Sequence, residues 1–119
     1  MAGDANTPRK VAAKLLAKEI ESLKLTVGIL IKATRAYKSP AQPDGAKQTD
    51  VATASGLTQP QVSSFENGEF IPDDYKLTAA LSACGFDLNK PGAAALQELI
   101  RFIRDKEADL QKLESELPD

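Results

Sequence analysis

The sequence predicts an all-α protein, and three observations lead there. Ala, Leu, Lys and Glu dominate the 119 residues, and all four are strong helix formers. No run alternates apolar and polar residues over the length of a strand. Hydrophobic residues make up 42% of the chain but aromatics only 5%, so the core must be built from Leu, Ile, Val and Ala. The length suits one small domain with an extension rather than two domains.

Thr7-Pro8 is a helix start, with Thr7 as N-cap and Pro8 at the first helical position. From there to Lys38 only Gly28 weakens the helix, so the segment is one long helix or two joined near Gly28. Ala13, Leu16, Ile20, Leu23, Val27, Leu30, Thr34 and Tyr37 recur at spacings of three and four and form one apolar stripe. Lys10, Lys14, Lys18, Lys24, Lys32, Arg35 and Lys38 lie mainly off it. "SPAQPDG", 39–45, holds two prolines and a glycine and is a loop. A short helix begins around Gln48 and stops near Ser55-Gly56; another follows Thr58 and stops at Asn67-Gly68. "FIPDD" is a loop, with Asp73 or Asp74 as N-cap of a helix over 74–84 that Gly85 ends.

After "DLNKPG" a last helix starts near Gly92. There Leu96, Ile103, Leu110 and Leu117 repeat every seven residues, Leu99 and Leu113 fill the alternate seam positions, and Lys106 lies between them. That is a short coiled-coil pattern. Leu96, Leu99, Ile103, Leu110 and Leu113 are therefore the expected dimerisation residues. Packing of the same seam on the Lys-rich N-terminal helix is the alternative.

Composition excludes several functions. The chain has no His, which removes histidine catalysis and the common metal sites. Its single Cys84 rules out an internal disulfide and sits at a helical core spacing, as a small buried hydrophobe. With no phosphate-binding glycine loop either, we expect no enzyme, no metal and no cofactor. The longest apolar run, "VGILI" at 27–31, is too short to cross a membrane, and "MAGDANTPRK" lacks the apolar centre of a signal peptide. A cytoplasmic protein is expected. The net charge of −2 hides an asymmetry: residues 1–47 hold nine Lys/Arg and four Asp/Glu, residues 48–119 six and thirteen. The basic half suits phosphate.

"QTDVATASGLTQPQVSSFENG", 48–68, is one unit. Val51 and Ala52 share a face of its first helix, and Val62 and Phe65 lie three apart on the second. Two helices crossing steeply over a tight turn need those types at those places. Gly56 permits a positive φ in the turn. Thr58 can cap the second helix, with Gln61 completing a capping box. Pro60 falls in the first turn, where a missing N–H costs little.

This unit resembles the helix-turn-helix of the phage-repressor (Xre/Cro) family. "IKATRAYK" is similar to that family's first helix, and "GEFIPDDYKLTAALSACGFDL" to its next helix and capping loop. The resemblance covers roughly residues 27–89 and implies a lambda-repressor-like domain. Residues 1–26 then form an N-terminal helical extension, and residues 90–119 a C-terminal amphipathic dimerisation helix. It also implies a sequence-specific regulator, a dimeric repressor that enters the major groove of double-stranded DNA with the helix from Gln59. Thr58, Gln59, Pro60, Gln61, Ser63 and Ser64 are then the expected contacts near base edges. Gln48 and Asn67 would approach the backbone from either side. Residues 48–88 carry one basic residue, Lys76, against six acids, so Lys38 and Lys47, with Lys32 and Arg35, are expected to supply phosphate contacts. The family also includes small antitoxins, so a regulatory protein partner, or a protein-interaction module using the unit as a scaffold, is the alternative.

Overall fold

The computed structural model describes residues 7–37 and 42–117. They form five helices and no strand: α1 (Thr7–Ala36), α2 (Gln48–Ser55), α3 (Gln59–Glu66), α4 (Asp74–Cys84) and α5 (Pro91–Ser115). Among the described residues no helix is long and apolar enough to cross a membrane.

The boundaries follow local chemistry. α1 is one continuous helix, and Gly28 does not break it. Gly28 is instead the point of closest approach to α3: a Cβ there would lie 2.3 Å from the carbonyl oxygen of Glu66. α2 ends at Gly56, whose φ of 77° supplies the left-handed cap. The Thr58 hydroxyl accepts from the Gln61 N–H, and the Gln61 side chain accepts from the Thr58 N–H, at 3.2 and 2.9 Å. Of the two candidate caps for α4, Asp73 does the work, accepting from the Lys76 N–H at 3.1 Å.

α3 and α4 pack on the C-terminal half of α1, α2 packs on α4 and α3, and α5 runs back along α1. Val27, Ile31, Val51, Leu57, Val62, Phe65, Leu81, Cys84, Ile100 and Ile103 form the centre of the core. Arg104 of α5 reaches the Asp74 carboxylate and the Pro72 carbonyl, which ties α5 to the start of α4.

Two expectations need correction. The α5 seam does not stand free for a second copy. Leu96 and Ile103 are buried in the chain's own core, with Leu99 and Leu110 packed at its edge and Leu113 half-buried. The buried stripe runs Ala93, Leu96, Ile100, Ile103, so the seam keeps the alternating three and four but pairs Leu96 and Ile103 with Ala93 and Ile100 rather than with Leu99 and Lys106. The α1 stripe likewise divides. Ala13, Ile20 and Val27 are buried, whereas Leu16, Leu23 and Thr34 are half-buried and Leu30 and Tyr37 are exposed.

Candidate nucleic-acid interface

α2 and α3 are joined by three residues, Gly56, Leu57 and Thr58. Leu57 fills the wedge between them with Val51, Val62 and Phe65. The Ser55 hydroxyl donates to the Val51 carbonyl at 2.6 Å and accepts from the Leu57 N–H at 3.3 Å, so the turn is held from within. This rigid corner sets the start of α3 outward.

Gln59 and Pro60 are exposed there, at the first positions of the helix. Thr58 and Gln61 are also exposed, but their side chains are engaged with each other's backbone as the cap. Ser63 and Ser64 are half-buried, and Asn67 is exposed at the C-cap. Gln48 opens α2, and the Gln59 amide donates to its side-chain oxygen at 2.7 Å. The Gln48 amide in turn donates to Glu66 at 3.1 Å. Gln48 is thus a brace for Gln59.

The brace continues inward. Glu66 is buried, and Arg35 of α1 clamps its carboxylate with two hydrogen bonds, Nε at 2.6 Å and Nη2 at 3.0 Å. The third Arg35 donor reaches the Ala46 carbonyl at 2.8 Å. The bond to Glu66 raises the guanidinium pKa further, against burial, which lowers it. One chain of hydrogen bonds therefore links α1 to the outer end of α3: Arg35, Glu66, Gln48, Gln59.

This corrects the expectation for Arg35. Its charge is spent on Glu66 inside the fold and is not presented outward. Lys38 lies outside the described residues. Lys47 is exposed just before α2, its N–H donating to Asp50 at 3.2 Å. Lys32 is exposed on α1. Lys76 emerges beside the turn, its Cε 4.0 Å from where a Cβ on Gly56 would stand. Sequence reasoning missed Glu66; the signal was a carboxylate one residue after Phe65 on the inward side of α3.

Among the described residues no group of three Cys, Asp or Glu side chains is placed to hold a metal ion. Cys84 is buried, and burial pushes its thiol up to about 12. No family model, no curated protein and no solved structure matches the chain.

Proposed function

We propose that the chain is a sequence-specific DNA-binding regulator, a dimeric repressor that reads the major groove with the outer end of α3. The observation that carries this reading is the braced amide pair, Gln59 held by Gln48 at 2.7 Å, at the start of a capped helix. A side-chain amide fixed in this way can bond adenine N6 and N7 together. Pro60 adds an exposed apolar surface for a thymine methyl. The start of α2 offers N–H groups to a phosphate, with Lys47 and Lys76 supplying charge on either side of the turn.

Selection of bound sequences from random duplexes tests the proposal. We expect a motif with two-fold symmetry and half-sites about one turn, ~34 Å, apart. Lys47→Ala removes one contact per copy and should reduce the magnitude of the dimer's salt slope by about 1.8 at every sequence. Gln59→Ala should relax one position of the motif by about 1–3 kcal/mol. No saturable binding to any duplex at physiological salt would overturn the reading.

A further inference from the structure

The hydrogen bonds that run from Glu66 to Gln59 have a direction, and chemistry fixes it. A carboxylate is an acceptor only, and both Glu66 oxygens already take donors from Arg35, Nε at 2.6 Å and Nη2 at 3.0 Å. A side-chain amide is different: it turns over end for end with little torsional preference, exchanging its oxygen and its nitrogen. Gln48 loses that freedom, because only its NH2 group can face the carboxylate 3.1 Å away. Its oxygen is then directed at Gln59, 2.7 Å away, where it can only accept. Gln59 must therefore spend one N–H on Gln48. Among the described residues nothing else bonds the exposed Gln59 side chain. The edge it leaves open is its oxygen with the second N–H beside it, the N–H lying on the Gln48 side.

We propose that Glu66 is a specificity-determining positioning residue: by fixing the order of donor and acceptor on Gln59, it makes that amide prefer adenine to guanine. The proposal rests on the reading of α3 as the element that enters the major groove.

Order matters because the two purines differ at one group of this edge. Adenine offers an acceptor at N7 and a donor at N6, whereas guanine offers acceptors at both N7 and O6. N7 lies toward the purine's own backbone, and the substituent at C6 lies toward the centre of the groove. Gln48 opens α2, where the proposed phosphate contact lies, so the N–H end of Gln59 is its backbone end. That N–H then meets N7, and the oxygen meets the substituent at C6. Adenine receives two hydrogen bonds. Guanine receives one, with its O6 set against the Gln59 oxygen.

A turned-over Gln59 would donate to guanine O6 and set its oxygen against N7, which removes the advantage of adenine. To turn over, it would need an N–H from Gln48, and the Gln48 oxygen would then face the Glu66 carboxylate. The Glu66 side chain is only 2% exposed, so little water is there to relieve two opposed acceptors. Arg35 acts one step further back, by holding the carboxylate in place.

Competition between duplexes that differ only in A·T or G·C, at the motif position that Gln59→Ala relaxes, tests this. The wild type should prefer adenine about 10-fold or more. Glu66→Gln can donate as well as accept, and the preference should fall about 5-fold. Gln48→Met keeps the Arg35–Glu66 pair, cuts the relay in the middle and should lower the preference similarly. A variant that merely folds less well loses both duplexes alike, so the ratio separates positioning from stability. Without DNA, the side-chain amide NMR signals of Gln59 should form one set in the wild type and gain a second, from the turned-over amide, in Glu66→Gln. A preference that stays within about 2-fold of wild type in both variants, or a single unaltered set of signals in Glu66→Gln, overturns the relay and leaves the DNA reading standing. A wild type that binds no duplex sinks the DNA reading and the base preference with it, even where the second set of signals shows that the hydrogen-bond order is as described.

Discussion

Removing Arg35 should cost far more than removing an ordinary surface arginine. The Glu66 side chain is 2% exposed and that of Arg35 13%, so both charges are largely out of water. Arg35→Met leaves the Glu66 carboxylate with the Gln48 amide at 3.1 Å and takes a donor from the Ala46 carbonyl. Breaking a buried pair from one side costs about 3–5 kcal/mol, whereas an exposed pair is worth about 0–1. A domain has only about 5–15 kcal/mol in all, so the variant should approach its unfolding threshold. The assay is urea unfolding followed by the helical circular dichroism signal, with the slope compared between variants to keep the comparison valid. Arg35→Met/Glu66→Met should regain most of the loss, because two apolar groups need no mutual compensation. A loss below about 1 kcal/mol for Arg35→Met, or a double variant as poor as the summed singles, would refute the account of this pair as a buried, mutually dependent brace.

Two glycines should respond unequally to the same change. Gly28→Ala drives a Cβ to 2.3 Å from the Glu66 carbonyl oxygen and 2.7 Å from its carbon, both backbone, so α1 and α3 must separate. We expect a loss at or above the top of the usual overpacking range of about 1–3 kcal/mol. Gly56→Ala has nothing nearer than 4.0 Å and meets only the cost of a φ of 77°, about 1–2 kcal/mol. Thermal melts that rank Gly56→Ala as the worse variant would contradict this packing. Cys84 should make stability fall in alkali. Burial raises its thiol most, the Glu66 charge adds to this, and Arg35 opposes it, taking the pKa from 9.0 to about 12. The unfolded chain therefore loses the proton first. The contribution is complete below pH 9 and disappears as pH rises through about 12. The stability gap between wild type and Cys84→Ala should shrink across that window, and a gap that stays constant would exclude the thiol as its source.

The helices were legible because their ends are written in short-range chemistry. Thr58 with Gln61, Gly56, Asp73 and Gly85 each act within four residues, and each sits where the sequence placed it. Burial was less legible because it depends on docking. The spacing of three and four on α1 marks a broad apolar surface but not which edge α5 covers. On α5 the sevens through Leu96, Ile103 and Leu110 hid Ile100, which is 1% exposed. The brace was least legible of all. Arg35 and Glu66 lie 31 residues apart, and nothing local distinguishes an arginine that meets a buried carboxylate from one that meets solvent. The capping box did contain a clue: a Gln61 engaged with Thr58 leaves Gln59 as the amide at the helix start that the cap does not use.

The basic character of the first 47 residues therefore resolves into separate uses. Arg35 is consumed by Glu66, and Lys24 by Glu107 at 3.1 Å. Lys14, Lys18 and Lys32 are exposed on α1. Lys47 alone stands beside the start of α2 among the described lysines of that half, and the acidic half contributes Lys76 from across the turn. Under the proposed function a neutral α3 is then no contradiction. A braced amide would discriminate bases by geometry, and that geometry comes from the Arg35–Glu66 clamp behind it rather than from charge in front of it. The two sides of α1 differ: one flank fixes α3 through Gly28 and Arg35, and the other leaves Leu15 and Leu30 exposed.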